Sequence, residues 1–122
     1  MISTMTALLV SLAGMIGVIS RYEISTQFHG NALPWATVAI NVAGSFLLGL
    51  LVTSHSMLDG DTRTILGVGF LGGFTTFSTF TVQAVLDVNA GEPGRAVLYV
   101  ISSLALGLLA AAAGFLVGRQ IF

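Results

Sequence analysis

From residue 64 to 86 the chain carries no charged side chain. The middle of that run reads Gly69-Phe70-Leu71-Gly72-Gly73-Phe74-Thr75-Thr76-Phe77-Ser78-Thr79-Phe80, with two adjacent glycines and four hydroxyls. A stretch this long and apolar matches the roughly 20 residues that a bilayer-spanning helix needs. Lipid offers no hydrogen bonds, so helix broken at that depth is tolerated only where protein or a cavity surrounds the freed backbone. The segment therefore points to a transport site. It holds no acid, base or cysteine, which points away from catalysis.

Composition agrees. Of the 122 residues, 55% are hydrophobic and 7% charged, against about 25% charged in a soluble domain. Mean hydropathy is +0.97, and the class is an integral membrane protein. With no cysteine, there is no disulfide framework and no thiolate nucleophile or metal ligand. The two histidines and five acids are scattered, which argues against hydrolytic or metal-dependent chemistry. A net charge of -1 gives no reason to expect nucleic acid or an anionic surface as partner. The first apolar run lacks a basic leader and exceeds the length of a signal core, so it is expected to stay as a helix.

The sequence predicts an all-α membrane protein, with one four-helix domain over residues 1–122. The spans fall at about 3–27, 35–54, 64–86 and 95–119. A turn at 29–34 ends in Pro34, suited to a helix start because its missing N–H has no helical partner there. The break at 55–63 contains Asp59, Gly60 and Asp61, and the break at 87–94 contains Asn89, Gly91 and Pro93. No internal repeat is visible. The strong cations are Arg21, Arg63, Arg95 and Arg119, two at each side of the membrane. Orientation follows such counts, and a tie predicts dual topology and an antiparallel homodimer. Orientation set by the first helix or the loops is the alternative.

Small residues recur four apart in Ala13/Gly17, Ser45/Gly49, Gly107/Ala111 and Ala110/Gly114/Gly118. Such ridges let membrane helices approach closely. Polar residues also form stripes: Thr37, Asn41 and Ser45 on span two; Thr75, Ser78 and Thr79 on span three; Tyr99, Ser102 and Ser103 on span four. Each hydroxyl could simply bond a neighbouring helix. Asn41 is a stronger candidate for function, because an amide in hydrocarbon needs several partners. Phe70, Phe74, Phe77 and Phe80 read first as a packing stripe, although phenyl edges carry positive potential and can face a small anion. Gly72-Gly73 lowers helix propensity by about 1 kcal/mol per glycine. The pair marks either a kink or close crossing, or a break whose carbonyls coordinate a cation, and the third helix is expected to be broken near Gly72–Thr75. Arg21 could snorkel to the interface, pair with Glu23 or line a vestibule.

Taken together, Gly69–Phe80, Gly17-Val-Ile-Ser-Arg21-Tyr22 and the span from Thr37 through Asn41, Gly44 and Ser45 to Gly49 resemble three motifs of the small bacterial fluoride channels, the CrcB/Fluc family. The resemblance covers essentially the whole chain. It implies a dual-topology antiparallel homodimer in the bacterial inner membrane, with two passive pores that export cytoplasmic fluoride and protect against its toxicity. It further implies that Phe77 and Phe80 present ring edges to fluoride and that Asn41 bonds the ion. Ser78, Thr79, Tyr99 and Ser103 would complete the polar path, with Arg21 and Thr37 in vestibule or structural roles. A structural Na+ would be held by backbone carbonyls of Gly72 and Thr75. The chain departs from the family at Leu71, where cysteine is frequent, and at Gly107 and Ala111, where relatives can carry hydroxyls.

Two rivals compete with that reading. A small multidrug transporter has similar length and topology but needs an intramembrane carboxylate. Glu23, beside Arg21 at a helix end, is a poor candidate. A scaffold subunit would need the small-residue ridges but not the grouping of Asn41, Phe77 and Phe80.

Overall fold

A computed structural model describes residues 1–28 and 34–122. Residues 29–33 of the turn expected at 29–34 lie outside the described residues. Every regular element among the described residues is helical: α1 (Thr4–Thr26), α2 (Trp35–Leu51), α3 (Gly60–Thr64), a π-helical segment (Ile65–Leu71), α4 (Gly72–Phe74), α5 (Phe77–Asn89) and α6 (Pro93–Ile121). The elements from α3 to α5 make up one composite span, Gly60–Asn89. This span, α1 and α6 are long and apolar enough to cross a membrane, whereas α2 is a shorter apolar helix. At 17 residues, α2 rises roughly 26 Å against a hydrocarbon core of ~30 Å. The architecture is that of a multi-pass membrane protein.

Local chemistry sets the boundaries. Ser3 caps α1 by accepting the N–H of Thr6 at 3.0 Å. Pro34 precedes α2, and its carbonyl accepts from Thr37 and Val38. The third span starts earlier than residue 64 because Asp59 caps α3, accepting the Thr62 N–H at 2.7 Å and its hydroxyl at 3.2 Å. Those bonds hold the exposed Asp59 carboxyl below its ordinary pKa. At the other end, α5 continues past 86 to Asn89. Gly91 then turns the chain at φ 79°, the left-handed region that suits glycine, and Pro93 opens α6.

The third span is broken, but not at its paired glycines. Gly72 is helical at φ -63°, ψ -37°, and Gly72–Phe74 form the helical turn α4. The chain leaves helix at Thr75 (φ -86°, ψ 158°) and Thr76 (φ -150°, ψ 117°). The glycines serve close packing instead. A Cβ on Gly73 would meet the carbonyl oxygen of Gly14 at 2.5 Å, and one on Gly69 would meet that of Val10 at 2.8 Å. Gly17 lies as tightly against Phe70 and Phe74, so α1 runs along the first half of the broken span.

Helices α2 and α6 form the other close pair. Cβ atoms on Gly49, Gly114 and Gly118 would collide with Ala111, Phe46 and Thr53 respectively. These are the ridges expected from the sequence, used as lipid-embedded helices use them, to bring backbones together without a hydrophobic drive. We expect Gly114→Leu to destabilise the protein by at least the ~1–3 kcal/mol of an overpacked core. Gly94→Ala, whose added Cβ meets nothing within 4 Å, should leave thermal unfolding in detergent unchanged. Equal melting of the two variants would contradict this packing.

Candidate functional site

The break at Thr75–Thr76 frees backbone groups, and each has a traceable fate. The N–H of Thr76, which would normally bond the carbonyl of Gly72, donates to Asn41 Oδ1 at 2.8 Å. Asn41 Nδ2 in turn donates to the carbonyl of Thr76 at 3.0 Å. One side chain of α2 thus satisfies both backbone groups of one residue in the gap. Thr76 Oγ1 caps α5, accepting the N–H of Thr79 at 3.2 Å and donating to its hydroxyl at 3.0 Å. On the other side of the break, the Thr75 hydroxyl donates to the carbonyl of Leu71 at 2.9 Å.

These diversions leave carbonyls behind. Gly72 loses its helical donor to Asn41, and Thr75 loses its own because the Thr79 N–H is taken by Thr76. The carbonyl of Gly73 is met by Arg21, whose Nε donates at 3.2 Å. Arg21 therefore reaches inward to the break, and it forms no ion pair with Glu23 in the structure. The carbonyls of Gly72 and Phe74 at the end of α4, and that of Thr75 in the gap, likewise receive no bond from the residue four ahead.

A cavity of about 430 Å³ opens beside the break. Its polar lining comes from all three stripes: Asn41 and Ser45 of α2, Thr75 and Thr76 of the gap, and Ser103 of α6. Phe77 and Phe80 complete it, their rings tilted with centroids 5.8 Å apart. Phe77 is 74% exposed while Phe80 is 7% exposed, so one ring projects out of the chain and the other is its buried base. The Ser103 hydroxyl is buried with no hydrogen-bond partner. Asn41 has two amide N–H groups, and Thr76 uses one of them.

Other expected residues lie off this cavity. Tyr99, 1% exposed, packs edge-on against Phe80 at 5.2 Å, and Thr37 is buried beside it. Thr79 is engaged with Thr76, Ser78 is exposed, and Arg21 lies against Gly73. Ser102 bonds the carbonyl of Leu98 within its own helix. Two participants escaped the sequence reading. Thr76 carries the brace and the cap, and the signal for it was the Thr76-x-x-Thr79 pattern of a helix start. Gln83 accepts the Tyr99 hydroxyl at 2.8 Å, and its signal was a lone amide in an apolar run one turn beyond Phe80.

The electrostatics follow from the two helix ends. The C-terminal end of α4 presents carbonyl oxygens and the N-terminal end of α5 presents N–H groups, so the break offers opposite partial charges to its two sides. Among the described residues no group of three or more His, Cys, Asp or Glu side chains is placed to hold a metal ion.

Fold and site define a class: a multi-pass helical membrane protein whose discontinuous span opens on a polar and aromatic cavity. Comparison with known proteins narrows it. The family model "CrcB-like protein, Camphor Resistance (CrcB)" matches residues 8–115. The chain is 42% identical over 123 residues to the fluoride-specific ion channel FluC of Acidobacterium capsulatum, covering 96% of this chain and 98% of that protein. It is 41% identical over 116 residues to FluC of Thermus thermophilus, covering 91% of each, and 38% identical over 122 residues to FluC of Geobacter sulfurreducens, covering 95% and 98%. The chain belongs to the CrcB family, a family of ion channels rather than enzymes.

The brace gives a direct test. Replacing Asn41 by Ala strands the N–H of Thr76, at roughly 1–3 kcal/mol for a group left unsatisfied, and removes the second bond to its carbonyl. Asn41→Ala should therefore melt well below the parent in detergent. An unchanged melting temperature would show that Thr76 does not depend on Asn41.

Proposed function

We propose that the protein is a fluoride-selective passive channel of the bacterial inner membrane, which exports cytoplasmic fluoride through two pores in an antiparallel homodimer. The observation that carries this reading is the cavity beside the break: uncharged donors, a buried hydroxyl without a partner, and two phenylalanine rings converge on one space. Fluoride is small and strongly hydrated, so a pore must replace its water with donors. Hydroxyls, an amide and ring edges do so moderately, and an ion bound moderately enters and leaves. A fully charged lining would trap it.

The same features favour a second copy. Phe77 projects from the chain, and the cavity is an open groove flanked by Leu104, Gly107 and Leu108 of α6. A partner facing it would enclose the path and supply its own Phe77. Arg63 lies at the end where α1 begins, as does Arg119, and Arg95 lies at the other end. Arg63 contacts His55 and Arg95 is paired with Asp87, so the cationic bias between the two surfaces is small. That suits insertion in both orientations.

A structural sodium fits the chemistry of the donors. Gly72 and Thr75 offer neutral carbonyl oxygens without helical donors, at the negative end of α4. Na+ bound there would supply the positive charge that offsets those lone pairs, and the same ion shared by two copies would join them. Arg21 would keep the Gly73 carbonyl out of the set.

Hydrogen fluoride enters acidified cells as a neutral acid and dissociates, and the membrane potential drives the trapped anion outward through a passive pore. The chain has no nucleotide motif, and the buried acid within its third span, Asp87, is paired with Arg95 rather than free to relay protons.

Purified protein in liposomes should release fluoride and retain chloride. Lack of fluoride release by folded protein would reject the proposal. Phe80→Ile should slow release by about tenfold, the scale of a lost aromatic edge contact of ~1.4 kcal/mol, while the oligomer stays intact. Parental rates in that variant would remove Phe80 from the path. For topology, C-terminal reporters active on either side of the membrane should both respond, and a response from one side alone rejects dual insertion.

A further inference from the structure

Asn41 both braces the break and lines the cavity beside it. Its amide is two-faced, with an acceptor at Oδ1 and two donors at Nδ2. The terminal torsion of asparagine is broad and roughly two-fold, so a free amide can turn either end toward an ion. Here the half-turn is blocked. The Thr76 N–H meets Oδ1 at 2.8 Å, and Nδ2 meets the Thr76 carbonyl at 3.0 Å. Turned over, the amide would set N–H against N–H and oxygen against oxygen, losing both bonds for two repulsive contacts. Thr76 cannot turn with it, because its hydroxyl is tied to the N–H and the hydroxyl of Thr79 at the start of α5.

The other polar groups of the cavity have no such fixed sign. The Thr75 hydroxyl gives its proton to the Leu71 carbonyl, and the Thr76 hydroxyl gives its proton to Thr79. Ser45 and Ser103 line the same space, and a serine hydroxyl can rotate to donate or to accept. The Ser103 hydroxyl is buried without a partner, so it is left to answer whichever ion arrives. Asn41 differs from all of these. Its two bonds to Thr76 engage Oδ1 and one N–H, and its second N–H has no partner among the described residues.

We propose that the Thr76 backbone is a positioning group that sets the sign of the ion the cavity accepts: by pinning Asn41 it holds out a donor that cannot be exchanged for the amide oxygen. This rests on the anion-channel reading above. Asn41 therefore holds the break and an anion at the same time, through different hydrogens of one nitrogen.

The test is NMR of the full-length protein in bilayers, following the two Nδ2 protons of Asn41 and the N–H of Thr76 as sodium fluoride replaces sodium chloride. One Nδ2 proton should shift with fluoride. The other, and the Thr76 N–H, should keep their shifts and their mutual correlations. Equal shifts of both Nδ2 protons, no shift of either, or loss of the Asn41–Thr76 correlations would overturn the proposal. Fluoride efflux from liposomes is scored separately. Protein that shows the single-proton shift yet releases no fluoride would refute the channel while leaving the pinned amide standing.

A second arm replaces the Thr76 peptide N–H by an ester oxygen, which removes the donor to Oδ1 and alters no side chain. Efflux should slow roughly tenfold, the scale of one hydrogen bond to a charged group. The reversal potential in a fluoride salt gradient should also move toward zero, as the freed amide turns its oxygen to cations. Slowed efflux with the parental reversal potential is what a merely structural brace predicts, and it would contradict the proposal. If the ester protein does not fold, the titration of the unaltered protein decides.

Discussion

The architecture depends on one amide. In lipid every backbone N–H and C=O needs a protein partner, and two residues in the middle of the third span have left the helix. Asn41 meets both polar groups of Thr76, donating through Nδ2 and accepting through Oδ1. It does for the gap what a neighbouring strand does in a sheet. Without it the cheapest course for the chain is to close the helix. With it, α4 and α5 stay separated at Thr75 and Thr76, beside the cavity lined by Phe77, Phe80 and Ser103.

Close helix packing fixes where that amide sits. Gly114 and Gly118 press α6 onto α2, and Gly17, Gly69 and Gly73 press α1 onto the first half of the broken span. Gly44 of α2 lies against the methyl of Thr75 itself. It is one turn from Asn41, so the crossing and the brace act at the same point. The π-helical segment Ile65–Leu71 precedes the break. Gly67 within it faces Leu48 and Leu51 of α2. The groove is thus bounded by α2, the gap and α6, and is open on the side where Phe77 projects.

Much of this was legible in the sequence. Charge-free runs located the apolar helices, because lipid excludes charge so strongly that the pattern survives without an alignment. The small-residue ridges identified the contact faces for the same reason. The break was expected near Gly72–Thr75, and it falls at the far end of that range, at Thr75 and Thr76. Helix propensity singles out Gly72-Gly73, but tertiary packing overrode propensity and spent those glycines on the approach to α1. The break belongs to Thr75 and Thr76, whose hydroxyls bond backbone on either side. Such side-chain competition with the helix is a known habit of threonine, yet it becomes decisive only when Asn41 arrives from another helix. Arg21 shows the same limit. Its neighbour Glu23 offered a local partner, and its actual partner, Gly73, is distant in sequence. Asp87 and Arg95 pair across a turn, which composition alone does not reveal.

The central claim is that Thr75 and Thr76 are extended within an otherwise helical span and are held open by Asn41. Solid-state NMR on protein in bilayers, with threonine, phenylalanine and asparagine labelled, reads this directly. The account predicts extended backbone shifts at Thr75 and Thr76, helical shifts at Phe74 and Phe80, and through-space correlations from the Asn41 amide to the Thr76 backbone. Helical shifts continuous from Phe74 to Phe80, with no Asn41–Thr76 correlation, would contradict it.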